Sequence, residues 1–284
     1  MTAAVHDLVL ADGRSLRVHD SGSAGPVAFS VLWHHGSPQT GEPLEPVVRA
    51  ATARGIRLIS YARPGYGGSS PHPGRTVADA ASDVAQIAGA LGADHFGMLA
   101  ASGGGPHALA CAALLPDLVP ATATLAGIAP YAAHGGGFDW FEGMADGGAA
   151  LRSALEGRDA RQRHEETTEF VASSFNAADY EALDGRWDSL GDDVDRAIAA
   201  GGVSALVDDD LALVAPWGFE LGAIESPVLL VQGGDDRVVP PSHAPWMLER
   251  LPHGELWARP RDGHISVLDA APVALDWLLQ RAWN

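Results

Sequence analysis

Short apolar runs rich in Val, Leu, Ile and aromatic residues recur along the chain at 27–33, 57–61, 95–100, 121–126, 227–232 and 255–258. Each has the length and the β-type composition of a strand. Between them lie Ala-rich stretches with helical periodicity at 42–53, 77–91, 106–115, 242–251 and 265–281. The resulting βαβα order predicts an α/β fold with a mostly parallel sheet flanked by helices. Two shorter runs, 8–10 and 16–18, flank Asp12-Gly13 and predict an opening hairpin.

The rhythm breaks between 131 and 220. This stretch holds 19 acids against six arginines, while the other 194 residues hold 17 acids and 12 arginines. The shift predicts three units: a first part of the core at 1–130, an inserted helical cap at 131–220, and the rest of the core at 221–284. Acids on such a helical segment are expected to serve chiefly as a solvated surface. Phe138, Trp140, Phe141, Met144, Phe170, Phe175, Tyr180, Trp187, Trp217 and Phe219 nevertheless give it an apolar face. Laid over the carboxyl edge of the sheet, that face would enclose a mostly hydrophobic pocket.

Composition narrows the partners. All 18 basic residues are arginine and face 36 acids, a formal charge of −18 that repels nucleic acid and anionic membranes. Two 21-residue stretches without charge, 96–116 and 118–138, are long enough to span a bilayer, but Gly103-Gly104-Gly105-Pro106 in the first and Pro120, Pro130 and Gly135-Gly136-Gly137 in the second break them into short elements. The N-terminus has no apolar stretch of signal-peptide length, and the single cysteine, Cys111, makes no internal disulfide possible. Cytoplasmic residence is therefore the default expectation, with Cys111 a buried apolar residue. No metal is expected, because His34-His35 are adjacent and would point to opposite sides of an extended chain, and no HExxH pattern occurs.

The sharpest chemical signal is Ala100-Ala101-Ser102-Gly103-Gly104, directly after an apolar run and directly before a helix. A serine on a tight strand-to-helix turn needs very small residues two positions to either side, and Ala100 and Gly104 meet that limit. The helix start would aim free N–H groups and a positive dipole end at negative charge developing beside Ser102. Phosphate binding is not indicated: the spacing matches neither GxxxxGK[ST] nor GxGxxG, and the chain has no lysine. A serine nucleophile requires a base, and the base a third group to orient it. Two loops past later strands supply candidates, Gly233-Gly234-Asp235-Asp236 and Asp262-Gly263-His264. On position alone Asp235 competes with Asp236.

Taken together these segments resemble a lidded α/β-hydrolase, and the resemblance covers nearly all of the core. The order Ser102, Asp236, His264 is that of the family's triad. Gly233 to Pro240 is similar to its GxxDxxxP acid loop, which assigns the carboxylate to Asp236. His35-Gly36-Ser37-Pro38 is similar to its HGxP segment, implying that the N–H groups of Ser37 and Gly103 form the oxyanion hole. Arg63-Pro64-Gly65-Tyr66-Gly67-Gly68-Ser69 resembles a structural turn of the family. Ala100 departs from the glycine most relatives carry there. The resemblance further implies substrate contacts at His34, Ala101, Trp140, Phe141, Met144 and Trp217, no cofactor, and a small hydrophobic substrate. A serine at the elbow argues against epoxide hydrolases and haloalkane dehalogenases, which resemble this fold but use aspartate. Ester hydrolysis is the most economical expectation. Carbon–carbon hydrolases, thioesterases, lyases, cofactor-free peroxidases and proline iminopeptidases use similar residues, and a non-catalytic ligand binder on the same fold is the alternative of a different class.

Overall fold

The computed structural model describes residues 4–22, 29–134 and 137–281. Strands β1 (Ala4–Val9), β2 (Ser15–Asp20), β3 (Phe29–His34), β4 (Ile56–Tyr61), β5 (Gly97–Ala101), β6 (Thr122–Leu125), β7 (Val228–Gly233) and β8 (Gly254–Arg259) form one sheet in the order β1-β2-β4-β3-β5-β6-β7-β8. The opening hairpin pairs antiparallel and joins β4 antiparallel, and every later pairing is parallel. The first long strand is expected from 27, but Val27 and Ala28 lie outside the described residues, as do Gly135 and Gly136.

Burial on both faces explains the apolar runs of β3 to β7, whereas β8, at the edge of the sheet, leaves Glu255, Trp257 and Ala258 exposed. Along β5, Met98 and Ala100 join one core cluster while Leu99 and Ala101 join the other. The first face is covered by α2 (Asp79–Leu91), α3 (Gly104–Leu114) and α9 (His243–Leu248), the second by α1 (Glu45–Thr52) and α10 (Ala271–Arg281). Helix α3 is apolar all round and almost wholly buried, the composition of a helix enclosed on every side. Within it Cys111 is a free, buried thiol whose pKa burial pushes up.

Two expected helices have different limits. The segment 265–281 is not one helix: Ser266–Ala270 forms a 3-10 turn before α10 begins at Ala271. Helix α3 starts at Gly104, two residues before Pro106, because the residue after Ser102 already takes helical dihedrals.

Between β6 and β7 the chain runs through α4 (Ala149–Leu155), α5 (Arg158–Thr167), α6 (Ala177–Leu183), α7 (Asp188–Gly201) and α8 (Ser204–Val214). The expectation that its acids mainly form a solvated surface fails for Asp179, Asp193, Asp208, Asp209 and Asp210, all of which are buried. Each is held by arginines, amides or hydroxyls: Asp193 by Thr40 and Arg196, Asp208 by Arg158 and Arg75, Asp210 by Arg161. No described helix is long and apolar enough to cross a membrane.

Candidate active site

Sheet order places the site. The chain leaves β3 for β4 on one side and returns to β5 on the other, so the carboxyl ends of β3 and β5 flank the point where strand order reverses, the usual binding crevice of such sheets. Ser102 follows β5 and Ser37 follows β3.

Ser102 takes the left-handed conformation, φ 50°, that only a strained turn imposes on a residue with a Cβ. The turn is fixed by Ser102 N–H donating to Leu125 O (2.8 Å) and Gly105 N–H to Ser102 O (2.9 Å). Gly104 is required, because a Cβ there would run into the carbonyls of His34 and His35. Ala100, where the family more often has glycine, pairs in register with His34 and Thr124 and is fully buried.

The side chains of Ser102, His264 and Asp236 meet. His264 Nε2 lies 3.0 Å from Ser102 Oγ, and Nδ1 lies 2.9 Å from Asp236 Oδ2. A carboxylate can only accept, so Nδ1 carries the proton and Nε2 presents its lone pair to the serine. Asp236, rather than Asp235, makes this contact. It also accepts the N–H groups of Val238 and Val239 at 2.9 Å each and the Gln232 amide at 3.2 Å. Asp235 instead faces Asn176 and Arg237. Burial opposes charging His264, yet Asp236, with Asp179 beyond it, raises its pKa above the ordinary imidazole value.

The segment His35–Ser37 is held against the elbow by Arg63, which is buried. Its guanidinium donates to His35 O, Gly36 O and Ser37 Oγ, the last at 2.7 Å, and its backbone N–H donates to His35 Nε2 at 3.2 Å. His35 Nδ1 donates to Gly36 O, so the ring is locked neutral, and burial beside Arg63 holds its pKa well below normal. The far side of the guanidinium meets Asp209 of α8 at 2.6 Å, which also accepts from Ser37 Oγ (2.6 Å), Arg75 (2.7 Å) and Tyr66 OH (3.1 Å). Burial alone would raise the pKa of Asp209; Arg63 and Arg75 hold it well below the carboxylate range. A Cβ on Gly103 would sit 2.8 Å from Ser37 Oγ, so the two expected oxyanion residues are adjacent. Among the described residues no protein acceptor engages the N–H of either one.

The other expected site residues divide. Ala101 ends β5 beside the elbow, and His34 is enclosed at the end of β3, edge-on to Tyr61 with its pKa held well below normal. Trp140 donates its indole N–H to Ala129 O (2.7 Å) and packs on Phe141, Tyr131 and His243. Trp217 lies just after α8, its indole N–H donating to Leu213 O and its carbonyl accepting from Ala78 N–H, and its ring stacks on Phe219. Met144 lines a cavity of about 280 Å³ with Leu151, Phe170, Val171 and Val238, beside the loop that carries Asp236. Asp179, Asp209, Gln232 and Arg63 support the site without having been expected to. The signal for Asp209 is three acids set inside the apolar helix Ser204–Val214, and for Asp179 the N-x-x-D spacing of a capping box.

Residues 30–271 match the family model described as alpha/beta hydrolase fold. The chain belongs to that family. Among solved structures, this hydrolase chain is similar to a bromoperoxidase from Bacillus anthracis (22% identity, TM-score 0.73, covering 98% of this chain and 100% of that one). It is similar also to an enol-lactonase from Burkholderia xenovorans LB400 (17%, 0.72, 98% and 100%) and a thermophilic esterase from Thermogutta terrifontis (19%, 0.70, 99% and 99%). At these identities the likeness to the hydrolases is one of fold. No curated protein matches the sequence.

Besides His34 and His35, two further buried imidazoles near the site give the hydrolase an acid sensitivity. His107 donates Nδ1–H to Gly103 O (2.8 Å), and burial, then the charge of Arg63, lowers its pKa to about 3; burial lowers His243 to about 4. Below the unfolded value of 6.5 the unfolded chain takes up protons that the folded protein refuses, so stability present above that pH is lost as pH falls. Between pH 7 and pH 5 each group should cost about 2 kcal/mol. Asp210, which burial raises to about 6 against the pull of Arg161, opposes part of this. The expected result is a lower Tm at pH 5 than at pH 7, with a smaller drop in His107→Asn; equal drops would refute the assignment.

Proposed function

We propose that this hydrolase cleaves small or medium hydrophobic carboxylic esters through an acyl-enzyme on Ser102. The observation that carries the reading is the hydrogen-bonded relay from Ser102 through His264 to Asp236 beside two N–H groups without protein acceptors. Ser102 Oγ attacks the ester carbon while His264 Nε2 takes its proton. The Ser37 and Gly103 N–H groups stabilise the oxyanion, each by about 3–4 kcal/mol. Collapse expels the alcohol, which leaves with the proton from His264. Water, deprotonated by the same imidazole, then attacks the acyl-enzyme and releases the acid. Asp236 keeps the imidazole in the working tautomer throughout.

Residues 131–220 act as the cap, and the cavity of about 280 Å³ that Met144, Leu151, Phe170 and Val238 share with Asp146, Glu169 and Arg237, beside the Asp236 loop, is the proposed room for part of the substrate. His34, Ala101, Phe141 and the two hinge tryptophans, Trp140 and Trp217, complete the proposed substrate surroundings. The esterase and the enol-lactonase among the similar structures accord with this chemistry. Asp208, Asp209 and Asp210 face arginines and so are not free to meet a substrate amine.

The test is hydrolysis of p-nitrophenyl esters of graded chain length, with a fluorophosphonate label located by mass spectrometry. Turnover with label on Ser102 supports the proposal. Label without turnover moves the reading to another serine chemistry of the fold, and a folded protein with neither moves it to ligand binding. Because the folded His264 pKa is raised, kcat/KM is expected to fall as pH drops through an inflection above the ordinary imidazole value of about 6.5. An inflection below that value would contradict the Asp236 contact.

A further inference from the structure

The loops that carry Asp236 and His264 are both gripped by the first turn of α6, which belongs to the inserted segment. Asn176 and Asp179 form a reciprocal capping box: Asn176 Oδ1 accepts from Asp179 N–H (2.9 Å), and Asp179 Oδ2 accepts from Asn176 N–H (3.2 Å). Most of the Asp179 carboxylate is turned elsewhere. Oδ2 accepts from His264 N–H (3.1 Å), and Oδ1 from Ile265 N–H (2.9 Å), Ser266 N–H (2.8 Å) and Ser266 Oγ (2.8 Å). Three consecutive amides thus close around one fully buried carboxylate, an anion nest filled from 85 residues away. Asn176 Nδ2 meanwhile donates to Asp235 Oδ2 (3.0 Å), the residue before Asp236.

Two features show that this grip is built into the fold. Among the described residues no arginine or histidine side chain forms an ion pair with Asp179, so its charge is balanced by backbone and hydroxyl dipoles alone. The glycine before His264 is also explained, since a Cβ on Gly263 would overlap the Asp179 carboxylate.

We propose that Asp179 is a positioning residue for His264, and that Asn176 is its second prong on the acid loop, so that the inserted segment sets the geometry of both catalytic loops. This rests on the hydrolase reading above. The charged groups facing His264 are Asp236, from the loop after β7, and Asp179, from α6; Asp235 and Asp262 on the same loops are engaged by Arg237 and Arg259. Asp179 therefore also favours the imidazolium that forms when Ser102 gives up its proton.

Asp179→Asn tests this at constant shape, because its amide must turn an N–H₂ toward donors where the carboxylate accepted. His264 is followed by ring-proton NMR titration, assigned by its loss in His264→Gln, alongside kcat and KM on an ester. The expected result is a His264 titration at lower pH than in the wild type and kcat reduced about 100-fold with KM little changed, the mark of displaced chemistry rather than lost binding. An unshifted titration overturns the proposal, whatever the rates. The titration needs no turnover, so a shifted His264 in a protein that cleaves no ester would defeat the hydrolase reading while sustaining the clamp. Should Asp179→Asn not fold, Asn176→Ala removes only the Asp235 link and half of the cap. It is then expected to lower kcat in the same direction, and wild-type kcat and titration would overturn the proposal.

Discussion

Replacing Ser102 with alanine is expected to lower kcat by about 10⁶-fold without loss of structure. The size follows from the relay: without Oγ there is no nucleophile, and His264 and Asp236 then have nothing to activate. What remains is binding and oxyanion stabilisation, about 10³-fold to 10⁴-fold over water in comparable sites. The structure should survive because Ser102 Oγ makes a single protein hydrogen bond, to His264, and alanine keeps the Cβ that already tolerates φ 50°. Unfolding free energies of wild type and Ser102→Ala are therefore expected to agree within about 1 kcal/mol. Single-turnover kinetics and denaturant melts measure the two halves separately. A variant that folds normally and retains wild-type turnover would remove Ser102 from the chemistry.

The parts of this molecule that can be read from sequence are those whose determinants lie close together in the chain. Strands covered on both faces announce themselves as apolar runs, and the elbow is local, since the size limits at Ala100 and Gly104 act on the backbone within a few residues. Position alone leaves Asp235 competing with Asp236, and only the resemblance to the family's acid loop chooses Asp236, which caps the amides of Val238 and Val239. The buried acids of the segment between β6 and β7 were not legible for the opposite reason. Asp209 meets Arg63 from 146 residues away, and Asp179 meets Ile265 from 86. Composition ranks an aspartate in an acidic stretch as a surface residue, and nothing in its neighbours names its partner. The turn Arg63 to Ser69, read from resemblance as structural, turns out to hold the expected oxyanion segment through the Arg63 guanidinium.

Asp209 is where that illegible layer is expected to matter most for stability. It lies in α8, and in one carboxylate it gathers Arg63, Arg75, Tyr66 and Ser37. Asp209→Ala should destabilise the protein by about 3–5 kcal/mol, because Arg63 would remain buried without a carboxylate partner and Arg75 with only Asp208, 3.5 Å away. The size of the loss reflects the uncompensated cations more than the worth of the pairs themselves. It follows that a second change should recover part of it. Removing one of those cations, in Asp209→Ala with Arg75→Met, is expected to be less destabilising than the two single changes summed, since partners in one network do not add. Arg63 cannot be traded in the same way, because its guanidinium also donates to the carbonyls of His35 and Gly36 and to Ser37 Oγ. Asp209→Ala should therefore lower kcat as well, by loosening Ser37 against Gly103, whereas the Arg75→Met change alone should act mainly on stability. Urea melts of the four proteins of the cycle, read beside their ester kinetics, check both statements. Strict additivity in the melts would mean that Asp209 does not hold the two arginines as one network.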